Sequence, residues 1–577
     1  MNPSQANSRK CLQQSIDAEI KSLEESIRVL KSRRNALSPI SSLHPELFAA
    51  IFSILCLPST SPDDHHLARL HVSHVCHQWR ETALNLPLLW SRVNFTFLSL
   101  AGAAEALARA KSVPLYLEAN ISSQRWGDDR FSSFQNELQV HIPHIRHLRI
   151  CAEPVLLQGA LQGLASPAPN LEQLSLSSGL RRTRMGARGQ ISIPNTLFNS
   201  STPRLSCLEL HNCNINWRSP LLKGLKHLEI IKVSTSARPE LEVWLAALDE
   251  MPQLTTLTLH SASPIAPPLP LVIERTITLP YLTRLDISGP PGDCALALAH
   301  LDLPALTSLC LTTFSSHLLV KSDVQKLLPF IVRHAHGPQD THPLQSVLIR
   351  APNAKRRADI LAWPVPNIDV EVHDLPTFLS ATPTRVALSF WCNDWLCIEK
   401  AFEIFDIVMA CLPLDGLVML ATHSLVSSWQ VEQRRATQHL LHHLLPTWPL
   451  LQCVRLVPAV AHGFIAMLLE DNGGCEKPLL PSLTQLVMVD FPIYEPALSD
   501  ALRKRVKQGV PVKVLDVRMC GPHYPDCRTE DWLQSLSQIV ANILRPEETY
   551  KARQEIDSMW DAVARGPFVD NGNSSED

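Results

Sequence analysis

A chain of 577 residues is too long for one ordinary core and implies several domains or one elongated array. Hydrophobic residues make up 45% and charged residues 19%, enough apolar material to fold and too little charge to keep the body disordered. The formal net charge of -3 provides no global field for nucleic acid or an anionic membrane, so neither is expected as a partner.

Only 19 Gly accompany 45 Pro, which points to turns set by proline and polar residues. Fifteen cysteines, an odd number, are scattered from Cys11 to Cys527 without a short secreted framework. They imply free thiols in a reducing compartment. The polar N-terminus has no apolar signal region, and no uncharged apolar run reaches the roughly 18 residues of a membrane helix. A cytoplasmic or nuclear location is expected.

Residues 12–37 carry Ile16, Ile20, Leu23, Ile27 and Leu30 at alternating spacings of four and three, a heptad seam of about three repeats. Two arrangements suit it, a helix docked on the neighbouring domain and a self-associating coil. Ser38-Pro39 ends the helix, because proline removes a donor and restricts its predecessor. In "ISSLHPELFAAIFSIL" Leu47, Ile51 and Leu55 fall four apart, with Phe48 and Phe52 alongside. Pro45 and Glu46 suit the first turn of that amphipathic helix. After the loop "CLPSTSPDDHH", Leu70, Val75, Trp79 and Ala83 lie near one stripe of a second helix, and Pro87 stops the run before Leu89 and Trp90. Elements this short share little core, so the rings of Trp79 and Trp90 supply buried area.

Ile40, Leu43, Pro45, Glu46, Leu47, Ile51, Phe52 and Leu55, then Val75, Cys76, Trp79 and Arg80, then Pro87, Leu89 and Trp90 resemble the F-box. The resemblance spans residues 40–95 and departs at His44, where the family often has a first proline, and in a longer loop after Leu55. A heptad helix just before the F-box is similar to many F-box proteins of mushroom-forming fungi.

Beyond residue 95 a repeat takes over. "HIRHLRI", "NLEQLSL", "RLSCLEL", "HLEIIKV", "QLTTLTL", "YLTRLDI", "ALTSLCL", "PLQSVLI", "LLQCVRL", "SLTQLVM" and "VKVLDV" share the form apolar, two residues, apolar, one residue, apolar, with weaker copies in "PTRVAL" and "LDGLVM". First positions run from Ile145 to Val512, about 31 residues apart on average. The last two apolar positions alternate as in a strand, and stretches such as "LEVWLAALDEM", "CALALAHL" and "QKLLPFIV" between strands have helical spacing. One strand and one return cannot bury their own apolar face, so adjacent units are expected to stack as a solenoid. The units resemble leucine-rich repeats. "LSCLELHNCNI" has the longer pattern in full, with Leu205, Leu208, Leu210, Cys213 and Ile215, whereas most units break its second half.

No phosphate loop, nucleophile elbow, H-E-x-x-H or dinucleotide fingerprint is present, so no enzyme, catalytic residue or cofactor is expected. Cys520, His523 and Cys527 lack an evident fourth ligand and zinc-like spacing. Cys207 with His211 and Cys213, and Cys392 with Cys397, are no better placed, and no metal site is assigned. Three basic clusters, Arg181 to Arg188, Lys355 to Arg357 and Arg503 to Lys507, read as solvated faces, because no aromatic residues are interleaved for base stacking.

The expected fold class is α/β, a leucine-rich-repeat-like solenoid preceded by a small all-α F-box module and an N-terminal heptad helix. Its parts are the heptad helix at 1–37, the F-box-like domain at 38–95, a connecting segment or cap at 96–143, the solenoid at 144–544, and a charged helix and disordered tail at 545–577. The resemblance implies the substrate-recognition subunit of a cullin-RING (SCF) ubiquitin ligase, with catalysis in other subunits. Its F-box would hold a Skp-type adaptor, and through it cullin, by Leu43, Pro45, Leu47, Ile51, Leu55, Val75 and Trp79. An unidentified protein substrate would meet the outward strand positions Glu209, His211, Arg284, Asp286, Arg350, Arg455, Asp516 and Arg518. A non-catalytic scaffold whose F-box-like module does not engage the ligase is the alternative.

Overall fold

In a computed structural model, residues 3–54, 71–179, 190–266, 275–315, 321–336, 343–350, 357–366, 384–392, 398–423, 443–470, 478–489, 496–520 and 527–545 are described. They form a mixed α/β protein with a large, mostly parallel sheet. The chain divides into two compact units, residues 1–221 and 222–577. The C-terminal helix and tail expected after residue 545, and the Arg181 to Arg188 cluster, lie outside the described residues.

The first unit opens with helix α1 (Pro3–Ala36), followed by α2 (Pro45–Ile54), α3 (His77–Leu84) and the single turn α4 (Pro87–Trp90). Prolines stand at the first positions of α2 and α4, where a missing N–H costs nothing and the fixed φ favours the turn. Strand β1 (Arg92–Asn94), helix α5 (Leu100–Ala110), strand β2 (Leu115–Ile121), helix α6 (Asp128–His141), strand β3 (Ile145–Ala152), helix α7 (Pro154–Gln162), and strands β4 (Gln173–Ser178) and β5 (Cys207–His211) complete it. Ser99 caps α5, its hydroxyl accepting from the Gly102 amide at 3.1 Å.

β1 to β5 pair in sequence order, all parallel. Their register stacks Val93, Leu117, Leu148, Leu174 and Leu208 in one buried row, and Ala119, Ile150, Leu176 and Leu210 in the next. These rows are the second and third apolar positions of the repeat. The array therefore starts earlier than the repeat pattern indicated: residues 96–143, expected as a connector or cap, contribute α5, β2 and α6. "LYLEANI" alternates Leu115, Leu117, Ala119 and Ile121 inward, but its unit has Pro114 where the pattern would place an apolar residue three before Leu117.

The second unit contains strands β6 (His227–Ile231), β7 (Thr256–His260), β8 (Arg284–Gly289), β9 (Ser308–Ser315), β10 (Ser346–Arg350), β11 (Arg357–Trp363), β12 (Val386–Cys392), β13 (Met419–His423), β14 (Cys453–Leu456), β15 (Gln485–Val489), β16 (Val514–Met519) and β17 (Asn542–Leu544). Helices α8 (Leu241–Asp249), α9 (Pro291–Ala299), α10 (Lys321–Gln325), α11 (Leu328–His336), α12 (Ile398–Cys411), α13 (Pro458–Leu469), α14 (Pro496–Lys507) and α15 (Cys527–Ser537) alternate with them. β6 to β9 pair in order and in parallel, as do β13 to β17.

Between these runs the order breaks. β9 pairs with β12 rather than β10, and β11 lies antiparallel between β12 and β10, which then pairs with β13. A uniform array of parallel units is thus interrupted by a locally reversed block. "RADILAW" of β11 has apolar residues at the repeat's spacing in Ala358, Leu361 and Trp363, but the strand runs antiparallel and buries Ile360, Ala362 and Trp363 instead.

Two repeat registers differ from the sequence pattern by three residues. Leu228 pairs with Leu257 and Leu420 with Val454, so both occupy the second apolar slot. The units therefore begin at Leu225 and Leu417, both fully buried, rather than at Leu228 and Leu414. Each segment holds apolar residues that fit either start, and only the neighbouring strand selects between them.

Side-chain clasps tie successive units. Arg238, ahead of α8, donates through Nε to the Ser263 carbonyl at 2.7 Å and through Nη2 to Asp293 Oδ2 at 2.7 Å. Asp293 Oδ1 accepts the Ala266 amide at 2.8 Å, and both side chains are almost wholly buried. The Arg503 to Lys507 cluster is not a uniformly solvated face. Arg505 is 1% exposed and donates to the carbonyls of Leu479, Leu480 and Leu483. Burial lowers its pKa to about 10, which leaves it charged at neutral pH.

Candidate protein-docking surfaces

The helical module is assembled around aromatic rings. Phe48 and Phe52 on α2 lie 5.7 and 5.2 Å from the Trp79 ring of α3, and both phenylalanines are completely buried. Trp90 is buried with its indole N–H donating to the Ala83 carbonyl at 2.8 Å, and the Arg109 guanidinium stands 5.3 Å from its ring centre. Both tryptophans thus bring α3 and α4 onto their neighbours. Trp79 keeps a half-buried edge, so most of its ring is committed to the module's own packing rather than to a partner.

The opposite side of α2 is apolar and uncovered. Leu47 is 51% exposed, Ile51 43% and Ile54 64%, against 0% for Phe48 and Phe52 one position away. Val75, ahead of α3, is also exposed, and Leu43 is half-buried. Pro45 starts α2, though its side chain lies outside the described residues, as does the whole of Leu55. Ile54 was missed in the sequence because the four-residue spacing ran on to Leu55. An alternative spacing of three from Ile51 identifies it.

The outward strand positions form ladders, and each unit carries its own. In the first unit the register places Arg92, Tyr116, His147 and Gln173 directly side by side on β1 to β4. The Arg92 guanidinium lies 4.4 Å from the Tyr116 ring centre, and Tyr116 stacks on the His147 ring at 4.4 Å. His147 Nδ1 is 2.9 Å from Gln173 Oε1, so it is the donor there, and Gln173 Nε2 donates to Glu209 Oε1 at 3.2 Å. Burial, opposed in part by the Gln173 hydrogen bond, pulls the His147 pKa down and so favours a neutral ring. Glu209 is therefore the end of a continuous polar and aromatic row, and His211 continues β5 opposite Ser177. Arg92, Tyr116, His147 and Gln173 escaped the sequence reading because their alignment follows from register alone.

In the second unit Arg284 is exposed opposite Thr256 and Ser308. Two residues on, Asp286 Oδ1 accepts from His260 Nε2 at 2.8 Å. Arg455 is half-buried opposite Ala421 and Val487. Asp516 is a correction: it is 5% exposed and clasped by Arg518, whose Nη2 lies 2.8 Å from Oδ2 and whose amide donates to Oδ1 at 3.0 Å. It orients Arg518, whose side chain remains half exposed. Arg350 sits on β10, with its side chain outside the described residues. Six strand steps separate β8 from β14, on the order of 30 Å. Arg284 and Asp286 thus form one patch and Arg455 with Arg518 another.

Among the described residues no cluster of three or more His, Cys, Asp or Glu side chains has a metal-binding arrangement, and no helix is long and apolar enough to cross a membrane. Cys213 is fully buried and its thiol is pushed up to about 12 by burial, which disfavours the thiolate that zinc requires. Cys520 is buried with its thiol directed at the Met488 carbonyl, 3.4 Å away, while His523 lies outside the described residues. No protein-family model matches the chain, and no curated protein matches it either. The F-box and leucine-rich-repeat resemblances rest on the residues quoted for them.

Proposed function

We propose that this chain is the substrate-recognition subunit of an SCF-type ubiquitin ligase, its helical module an F-box that holds a Skp-type adaptor and its strand array a leucine-rich-repeat-like solenoid that holds a protein substrate. The two faces of α2 carry the reading. One is locked by Phe48, Phe52 and Trp79, while the other presents Leu47, Ile51 and Ile54 to solvent in a stripe suited to a partner helix. Exposed aliphatic side chains in a row, on a helix already anchored by its other side, gain by being covered, since each carries apolar area still in water.

The solenoid's contribution is recognition and proximity. Holding a client near an activated ubiquitin raises the effective concentration of its lysines without any catalytic group in this chain. The Arg92 to Glu209 ladder and the Arg284–Asp286 patch are preorganised polar surfaces that a client can read.

Co-purification with a Skp-type adaptor tests the reading, using wild type and Leu47→Asp. Adaptor should accompany the wild type and be lost from the variant while both remain folded. If neither folded protein brings down adaptor, the ligase reading fails and the array is a scaffold only. Affinity purification with the proteasome inhibited then identifies the client by its accumulation.

A further inference from the structure

We propose that two copies of this chain associate through α1 as an antiparallel two-stranded coiled coil. The inference is independent of the ligase reading. Sequence spacing alone left a docked helix and a self-associating coil as alternatives. In the structure the seam is uncovered along its length, with Ile16, Ile20, Leu23, Ile27 and Leu30 between 48% and 62% exposed. A helix docked on its own chain would bury that stripe.

The residue types name the occupant. In heptad notation Ile20 and Ile27 occupy a, and Ile16, Leu23 and Leu30 occupy d. Ile at a with Leu at d suits a two-stranded coil. The residues flanking the seam then decide the orientation. Asp17, Glu24 and Lys31 stand at e, and Glu19, Ser26 and Arg33 at g.

In a parallel pair Glu19 would face the partner's Glu24 on both sides, and Arg34 at a would face its own copy across the core. Both juxtapositions repel. In an antiparallel pair Ile20 packs in a layer with the partner's Leu30, and Leu23 with its Ile27. That register sets Asp17 beside the partner's Lys31 and Glu19 beside its Arg33, each twice by symmetry. Arg34 then faces Ile16 instead of another Arg34. One like-charge contact remains, Glu24 with its copy on the two-fold axis. The acidic first half of the seam thus meets the basic second half, and the helix dipoles oppose favourably.

Sedimentation of the full-length protein tests this. Wild type should show a reversible monomer–dimer equilibrium that weakens with salt. Reversing Asp17→Lys and Glu19→Lys together should weaken the dimer by about tenfold or more, since four attractive pairs become repulsive. Adding Lys31→Glu and Arg33→Glu should restore it. Because every position is on an exposed helix, thermal midpoints should not move, which separates these effects from misfolding. A wild type that stays monomeric overturns the proposal, as does a dimer that survives Leu23→Asp with Ile27→Asp. A dimer tightened by the Asp17→Lys and Glu19→Lys pair overturns the antiparallel orientation, because only a parallel coil gains when the charge facing Glu24 from position 19 changes sign.

Discussion

His334, on α11, titrates in an environment unlike water. Burial lowers its pKa from the ordinary 6.5 to about 4, because the charged ring loses hydration that nothing nearby replaces in full. The sign follows from where protons bind. As pH falls below 6.5 the unfolded chain takes up a proton at this site while the folded chain resists until about 4, so stability declines across that window and levels off below it. The loss attributable to His334 is about 3 kcal/mol in all. Urea unfolding at a series of pH values should show His334→Gln with a flatter acid limb than wild type by up to one proton, and parallel curves would remove His334 as the cause. Arg238 and Arg505 illustrate the complementary case, in which a buried cation is retained because a carboxylate or three carbonyls receive its donors.

Helix α2 shows why adjacent residues of similar hydropathy have opposite consequences. Phe48 closes against Trp79, whereas Leu47, about 100° around the helix, meets solvent. Phe48→Ala should cost about 3 to 5 kcal/mol through the cavity it leaves. Leu47→Asp should stay within about 0.5 kcal/mol of wild type, since Leu47 is 51% exposed. Equilibrium denaturation of the two variants checks the contrast, and a large loss from Leu47→Asp would mean that the stripe is already covered. Strand β11 makes the same point for sheets. Its antiparallel insertion lets β10 and β12 exchange places in the array, a rearrangement that no single strand's alternation encodes.

At the scale of the molecule, the surface proposed for recognition and the seam proposed for association occupy different elements. The strand ladders are built from backbone register, and among the described residues of α1 the seam side chains are exposed. Deleting residues 1–37 should therefore leave the thermal midpoint within about 1 °C of wild type, the shift expected when almost no apolar area is lost. The same deletion should abolish dimerisation in sedimentation. A marked drop in midpoint would show that α1 stabilises the body and would count against the free seam. Within the second unit, Arg284 and Asp286 lie too far from Arg455 and Arg518 to act on one small ligand.

Local chemistry by itself determined much of this protein. Heptad spacing marked α1, Pro45 opened α2, Pro87 stopped the run that ends in α3, and apolar alternation located most parallel strands, because each of these signals lies within about ten residues of chain. Only the tertiary structure decided the rest. It chose Leu225 and Leu417 over rival starting positions, reversed β11, buried Asp516 and Arg505, and aligned Arg92 with Tyr116, His147 and Gln173. The physical reason is common to all four. Register, burial and cross-strand contact are properties of a pair of segments far apart in sequence, and the energy that fixes them appears only when both are in place.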